Sequence, residues 1–345
     1  MIYTIRIATI SDINDIVKFI SDNWKKDHPL VLSKQLMDFQ HFNKEDNIYN
    51  FIIGINRHTN EIDGLLGFIP LHRYDNNLKD YGIYWGAIWK VRDGIDNEEI
   101  KYLGYKIWLY LFTLEGVKTR IAVGAGPISQ KFYRAAGYWV STLNHYYFVN
   151  PYMENYKILS GGFKVDKKTA YQLTGDNVRF EDIDIIQTQL PLYSDMYPCK
   201  TIDYLIARYK NHPIYKYYFQ GIYVNDNLLA IWVLRDCTWG ESKAIRIVDM
   251  VGSMTNIPDL SEEICLFLKH QNAEYIDVLN WGIDKRNFER VGFQWLSYDN
   301  DIIVPNYFEP FVQENSKVYF ATKDKSICIF KGDADQDRPN IIKNE

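Results

Sequence analysis

Cysteine is scarce: Cys199, Cys237, Cys265 and Cys328 are the only four in 345 residues, and no two stand at CxxC spacing. The seven histidines never fall at i and i+4. Neither pattern supports a structural zinc or a helix-borne catalytic metal, so no metal is expected and the thiols are read as reduced and buried. Basic clusters are missing as well. No run of five Lys or Arg occurs and the formal net charge is −5, which argues against general affinity for polyanions and against nucleic acid as a partner. No stretch of about eighteen apolar residues is present, and the start, MIYTIRIATISD, has neither a basic nor an apolar targeting segment. A cytoplasmic protein without a membrane span is expected.

What is abundant is aromatic: 16% of the residues are Phe, Trp or Tyr, including 27 Tyr. Rings with a flat apolar face and a polar edge suit a cleft that stacks a base or sugar, or else the cores of two domains and their junction. The length favours two domains of ordinary size.

A repeat supports that division. Residues 120–138, RIAVGAGPISQKFYRAAGY, read as a strand, a turn and a short helix stopped by Gly137. A shift that carries Gly137 onto Gly292 lays this stretch without a gap on residues 275–293, YIDVLNWGIDKRNFERVGF, matching Ile121 with Ile276, Val123 with Val278 and Ile128 with Ile283. Two copies of one domain are expected, 1–155 and 156–345, joined by a polar stretch, Asn150–Lys168.

In chain order, residues 3–8 alternate as a strand. Thr9–Asp12 offer an N-cap to an amphipathic helix, Ile13–Asn23, and a second helix is expected over Ser33–Phe42. Tyr49–Ile55 and Ile62–Pro70 read as antiparallel strands, and Tyr81–Val91 as an aromatic strand with Gly86 marking a bulge. His28 and His72 are read as solvated loop residues. A helix follows over Glu99–Leu114, with Leu103, Ile107, Leu111 and Leu114 inward, and His145–Val149 continues as a strand. In the second copy a helix is expected over Thr201–Tyr209 and strands over Tyr217–Val224, Leu228–Leu234 and Ala244–Val251. Within the last of these Asp249 is an acid among apolar residues. Such a carboxylate is either a base with a raised pKa or the partner of Arg246 or of neighbouring backbone.

The strand and turn, with Tyr133 four residues before Gly137-Tyr138, resemble the end of the GNAT acyltransferase domain. With the duplication, Asp249 and the tail GDADQDRPN, the whole chain is similar to tandem-GNAT N-acyltransferases that act on nucleotide-linked amino sugars. The resemblance implies an α/β (α+β) architecture of two tandem domains, each a mixed, largely antiparallel sheet flanked by helices. It implies acyl-coenzyme A as co-substrate, held in the first copy along Ile88, Trp89, Lys90 and Val91. KYLGYK stands where the family keeps (R/Q)xxGx(G/A), so Lys101, Gly104, Tyr105 and Lys106, with Gln130, are the implied coenzyme contacts. Lys106 replaces the motif's last small residue and is either a phosphate ligand or an exposed helix lysine. Tyr133 is the implied general acid and Asp249 the implied base, with Tyr84, Tyr217, Asn280 and Trp281 as walls for the sugar nucleotide. The second copy has GSMTNIPDLSEE in place of KYLGYK and Phe288 in place of Tyr133, which implies loss of coenzyme binding there. The implied reaction is direct transfer of an acetyl or 3-hydroxybutanoyl group to a dTDP-linked amino-dideoxyhexose for O-antigen or capsule synthesis, by a monomer or small homo-oligomer. The alternatives are a tRNA-dependent aminoacyl transferase of the peptidoglycan-bridge type and a non-catalytic sugar-nucleotide binding protein.

Overall fold

The computed structural model describes residues 2–163, 177–188 and 192–340. The part of the expected polar junction over 164–168 lies outside them. Two compact units are present, Met1–Tyr138 with Ala321–Lys323 and Ala334–Glu345, and Trp139–Phe320 with Asp324–Asp333.

The first unit opens with β1 (Tyr3–Thr9) and α1 (Ile13–Asn23), whose Ile16, Phe19 and Ile20 are buried. The turn between them is tied by Asp12, which accepts from the Thr9 N–H at 2.7 Å and from the Arg6 guanidinium at 2.7 and 2.8 Å. Burial alone would raise the Asp12 pKa, but Arg6 and Thr9 outweigh it and pull it down to about 2. Then come α2 (Lys34–His41), β2 (Ile48–Asn56), β3 (Ile62–Pro70), β4 (Ile83–Val91), α3 (Ile100–Leu111), β5 (Thr119–Val123) and α4 (Pro127–Ala135). The strands line up in the order β1-β2-β3-β4-β5. All neighbours are antiparallel except β4 and β5, which are parallel. That single parallel pair follows from the helical crossover α3 between them. The two histidines read as solvated, His28 and His72, are not: His28 is buried, and His72 is half-buried and packs edge-on against Tyr84 with ring centroids 5.8 Å apart. His41 is buried as well. His28 caps the short helix Pro29–Leu32, its Nδ1 accepting from the Leu30 N–H at 3.2 Å.

The second unit repeats the plan with β6 (Asn144–Val149), β7 (Val178–Asp182), β8 (Tyr218–Val224), β9 (Asn227–Trp239), β10 (Ser242–Gly252), α5 (Ser261–Gln271), β11 (Tyr275–Trp281) and α6 (Lys285–Arg290). Its sheet runs β6-β11-β10-β9-β8-β7, with Gln294–Trp295 beyond β6. Here too the one parallel pair, β10 with β11, is spanned by a helix, α5. The segment 150–163 packs into this unit instead of crossing as a loose polar link: the Glu274 carboxylate accepts the N–H groups of Lys157, Ile158 and Leu159 at 2.8–3.1 Å. Apolar Ile158 and Leu159 are buried beside it. The helix expected over Thr201–Tyr209 starts as Ile202–Leu205 and continues as a π-turn, Ile206–Lys210. Cys237, Cys265 and Cys328 are buried, Cys199 is half-buried, and none of the four is joined in a disulfide among the described residues. Both units are thus mixed sheets flanked by helices.

Candidate active site

In the first unit β3 and β4 stay in register from Gly64↔Val91 to Leu66↔Trp89 and resume at Phe68↔Gly86, so Ala87 and Ile88 together oppose Gly67. This is a bulge on β4, immediately after Gly86. On its other edge β4 pairs with β5 only from Ile83↔Thr119 to Gly86↔Ala122. Beyond the bulge the two parallel strands part, and the β5-facing edge of Ile88–Val91 carries no ladder among the described residues. An extra residue bends and twists a strand, which is why pairing stops there. The result is a wedge whose β4 wall presents unpaired N–H and C=O groups to any extended chain that enters.

The second unit contains the same device and fills it. Val233 pairs with Asp249 but Leu234 with Ile247, leaving Val248 as the bulged residue of β10. The β10–β11 pairing ends at Ile247↔Val278. Into this wedge the chain inserts its own segment: Phe330 and Ile329 pair with Asn280 and Trp281 of β11, and the Lys331 and Gly332 N–H groups donate to Leu279 O at 3.2 Å and Val248 O at 2.8 Å. Gly332 is required for the fit, since a Cβ there would lie 2.5 Å from both Tyr209 Oη and Val248 O.

Asp249 belongs to the lock on that plug. Lys200 Nζ lies 2.7 and 2.8 Å from its two oxygens and 2.8 Å from Asp333 Oδ1, and Tyr209 Oη donates to Asp249 Oδ2 at 2.8 Å. Asp333 in turn accepts from the Phe330 N–H at 2.9 Å. Both carboxylates are fully buried. Burial would push the Lys200 pKa down, but Asp249 and Asp333 outweigh it and hold the amine charged. Burial raises the Asp333 pKa, with Lys200 opposing. Of the pairings open to Asp249, Arg246 is already taken. The β10–β11 register sets Arg246 beside Asp277, which it grips at 2.7 and 2.9 Å while His145 Nε2 approaches the same carboxylate at 2.8 Å. Burial, the largest influence on Asp277, would raise its pKa, yet Arg246 and His145 bring it to about 2.

The other sequence-derived residues fall as follows. Ile88 is buried, and Trp89, Lys90 and Val91 are half-buried along the open β4 edge. Lys90 pairs with Asp93 and Lys101 with Glu98. Gly104 sits one turn inside α3, where its N–H joins the helix ladder. Its missing side chain lets α3 approach β4, since a Cβ would stand 3.2 Å from Val91 Cγ2. The first helical N–H, Ile100, is capped by Asn97 Oδ1 at 2.8 Å. Tyr105 is exposed and stacks on Trp108, Lys106 is half-buried, and Gln130 donates to Ala125 O at 2.8 Å. Tyr133 is 1% exposed. Burial raises its pKa, and the Arg120 guanidinium beside it pulls the other way. Tyr84 is buried between Phe68 and His72. Asn280 and Trp281 hold the plug: Asn280 Nδ2 donates to Ile329 O at 3.0 Å and Trp281 Nε1 to Lys325 O at 3.3 Å. Tyr217 lines a cleft of about 340 Å³ with Asp182, Lys210, Tyr218, Asp236 and Gln271. Sequence reasoning passed over Arg120 and Lys200. Arg120 carries the same signal as Asp249, a charge inside an apolar strand, whereas nothing in the run around Lys200 marks it.

Among the described residues no group of three or more His, Cys, Asp or Glu could hold a metal ion, and no helix is long and apolar enough to cross a membrane. No family model matches the sequence, and no curated protein matches it either. Solved structures do. A conserved protein of unknown function from Enterococcus faecalis V583, described as a probable N-acyltransferase, is 8% identical, covers 95% of this chain and 74% of its own, and superposes with a TM-score of 0.51. A GCN5-related N-acetyltransferase from Anabaena variabilis is 11% identical over 92% of this chain and 72% of its own, at a TM-score of 0.49. The first likeness carries the fold: two mixed sheets flanked by helices, in the arrangement the GNAT resemblance implied.

Proposed function

We propose that the chain is an acyl-coenzyme A-dependent N-acyltransferase with one coenzyme site, the open wedge of the first unit. The observation that carries this reading is the contrast between two copies of one device. Where β10 and β11 part, the chain supplies its own strand; where β4 and β5 part, the Ile88–Val91 edge is left for an extended ligand. The pantetheine arm of coenzyme A has amide groups spaced to pair with such an edge, much as an added strand does. An amine then attacks the thioester carbonyl held there, backbone N–H groups of β4 receive the oxyanion, and Tyr133 protonates the departing sulfur. Lys101, Lys106 and Gln130 flank the coenzyme. The favoured acceptor is a dTDP-linked amino-dideoxyhexose. Support for that acceptor is the resemblance to sugar-nucleotide N-acyltransferases.

Calorimetric titration with coenzyme A tests the core of this reading. One equivalent bound per chain is expected, with hydrogen-exchange protection of the Ile88–Val91 amides. No binding, or protection at β10 instead, overturns it. Mass spectrometry of dTDP-amino sugars incubated with a panel of acyl-coenzymes A tests the acceptor.

A further inference from the structure

Arg120 lies on β5 and is 1% exposed. Its Nε and Nη1 have no hydrogen-bond partner among the described residues. A buried cation without a counter-charge is expensive to fold, because it has lost its hydration and gained no ion pair in return. The guanidinium carbon sits 5.3 Å from the Trp89 ring centre and 5.6 Å from that of Tyr133, so aromatic faces offset part of that loss. Gly86 makes the room: a Cβ there would stand 2.7 Å from Arg120 Nη2. Gly86↔Ala122 is also the last register pair before β4 and β5 separate. The charge therefore lies at the apex of the wedge. Trp89 Nε1 and Tyr138 Oη are likewise buried without partners, and the Tyr138 ring is 5.1 Å from that of Tyr133.

We infer that this cluster is a thiolate site in which Arg120, with the Tyr133 hydroxyl beside it, receives the sulfur of coenzyme A as it leaves. The inference rests on the acyltransferase reading above. In the step, the amine nitrogen bonds to the thioester carbonyl carbon and the C–S bond breaks with both electrons passing to sulfur. The thiolate pairs with the Arg120 cation and takes the Tyr133 hydroxyl proton, and the amine's proton, passed through solvent, restores the tyrosine. A lone cation among aromatic walls suits a singly charged, polarizable atom. A pyrophosphate would ask for several cations or a row of backbone donors. Charge that is unpaired before reaction and paired during it lowers the barrier without tightening ground-state binding.

The test uses the full chain as wild type, Arg120→Met and Arg120→Lys, without needing the acceptor. Far-ultraviolet titration of bound coenzyme A reads the thiol's ionisation. In the wild type its pKa should fall below the roughly 8.5 of a free thiol, return toward that value in Arg120→Met, and be partly restored in Arg120→Lys. Thermal unfolding of the free protein should show Arg120→Met melting higher than wild type, since the variant removes an unpaired buried charge. A lower melting temperature in that variant, or a bound-thiol pKa that is the same in all three proteins, overturns the inference alone. Failure of the wild type to bind coenzyme A overturns the acyltransferase reading, and this inference with it.

Discussion

Lys200→Met should unlock the plug of the second unit. Its ammonium is the only cation that the described structure brings to Asp249 and Asp333, at 2.7 and 2.8 Å, and its side chain is 4% exposed. Methionine keeps the volume and removes the charge, so two fully buried carboxylates face each other without a counter-ion. Removing one partner of a buried ion pair typically costs about 3–5 kcal/mol. At 2–4 °C per kcal/mol for a unit of this size, the melting temperature should fall by roughly 6–20 °C. The sign with pH follows from the carboxylates. Burial already raises the Asp333 pKa and Lys200 opposes that rise, so in the variant the Asp333 pKa stands further above the unfolded value of about 3.9, and the penalty is full near neutrality and fades as acid protonates it. Denaturant unfolding of wild type and variant at pH 7 and pH 4.5 measures both effects, and exchange of the Lys331 and Gly332 amides reports the plug itself. Equal stability at pH 7, or a gap that widens in acid, would refute the view that Lys200 locks this segment.

Two further expectations concern titration and catalysis. His28 and His41 both have pKa values lowered to about 3, by burial first and by nearby cations second. A depressed histidine favours folding fully above its unfolded pKa of about 6.5 and loses that contribution as pH falls below it. At pH 5 each should cost about 2 kcal/mol relative to pH 7, and Phe at either position should flatten the stability–pH curve measured by chemical denaturation. Tyr133→Phe should lower kcat about ten- to a hundred-fold with little change in KM, and full activity in steady-state assays would make Tyr133 a packing residue like Phe288.

Residue patterns alone determined much of the fold. Ile13–Asn23 and Ile62–Pro70 emerge with the bounds their periodicity announced, and the bulge falls directly beside Gly86, where glycine in an aromatic strand pointed. The repeated strand-turn-helix recurs as β5-α4 and β11-α6, because alternation and a terminal αL glycine are local properties, set within one or two turns of chain. Charge pairing was not legible. Asp249 stood out as an acid among apolar residues, but its partner is Lys200, some fifty positions away and in no recognisable pattern, while Arg246 is drawn off by register to Asp277. The same holds for the two wedges. Sequence distinguished the copies by Tyr133 against Phe288 and by KYLGYK against an acidic stretch, but only the tertiary structure decided which wedge is occupied. Whether an edge is open depends on where residues 329–332 return in space, and no local propensity encodes a return over such a distance. Arg120 shows the same limit: its identity was in plain view in RIAV, but that its Nε and Nη1 find no hydrogen-bond partner among the described residues is a property of everything packed around it.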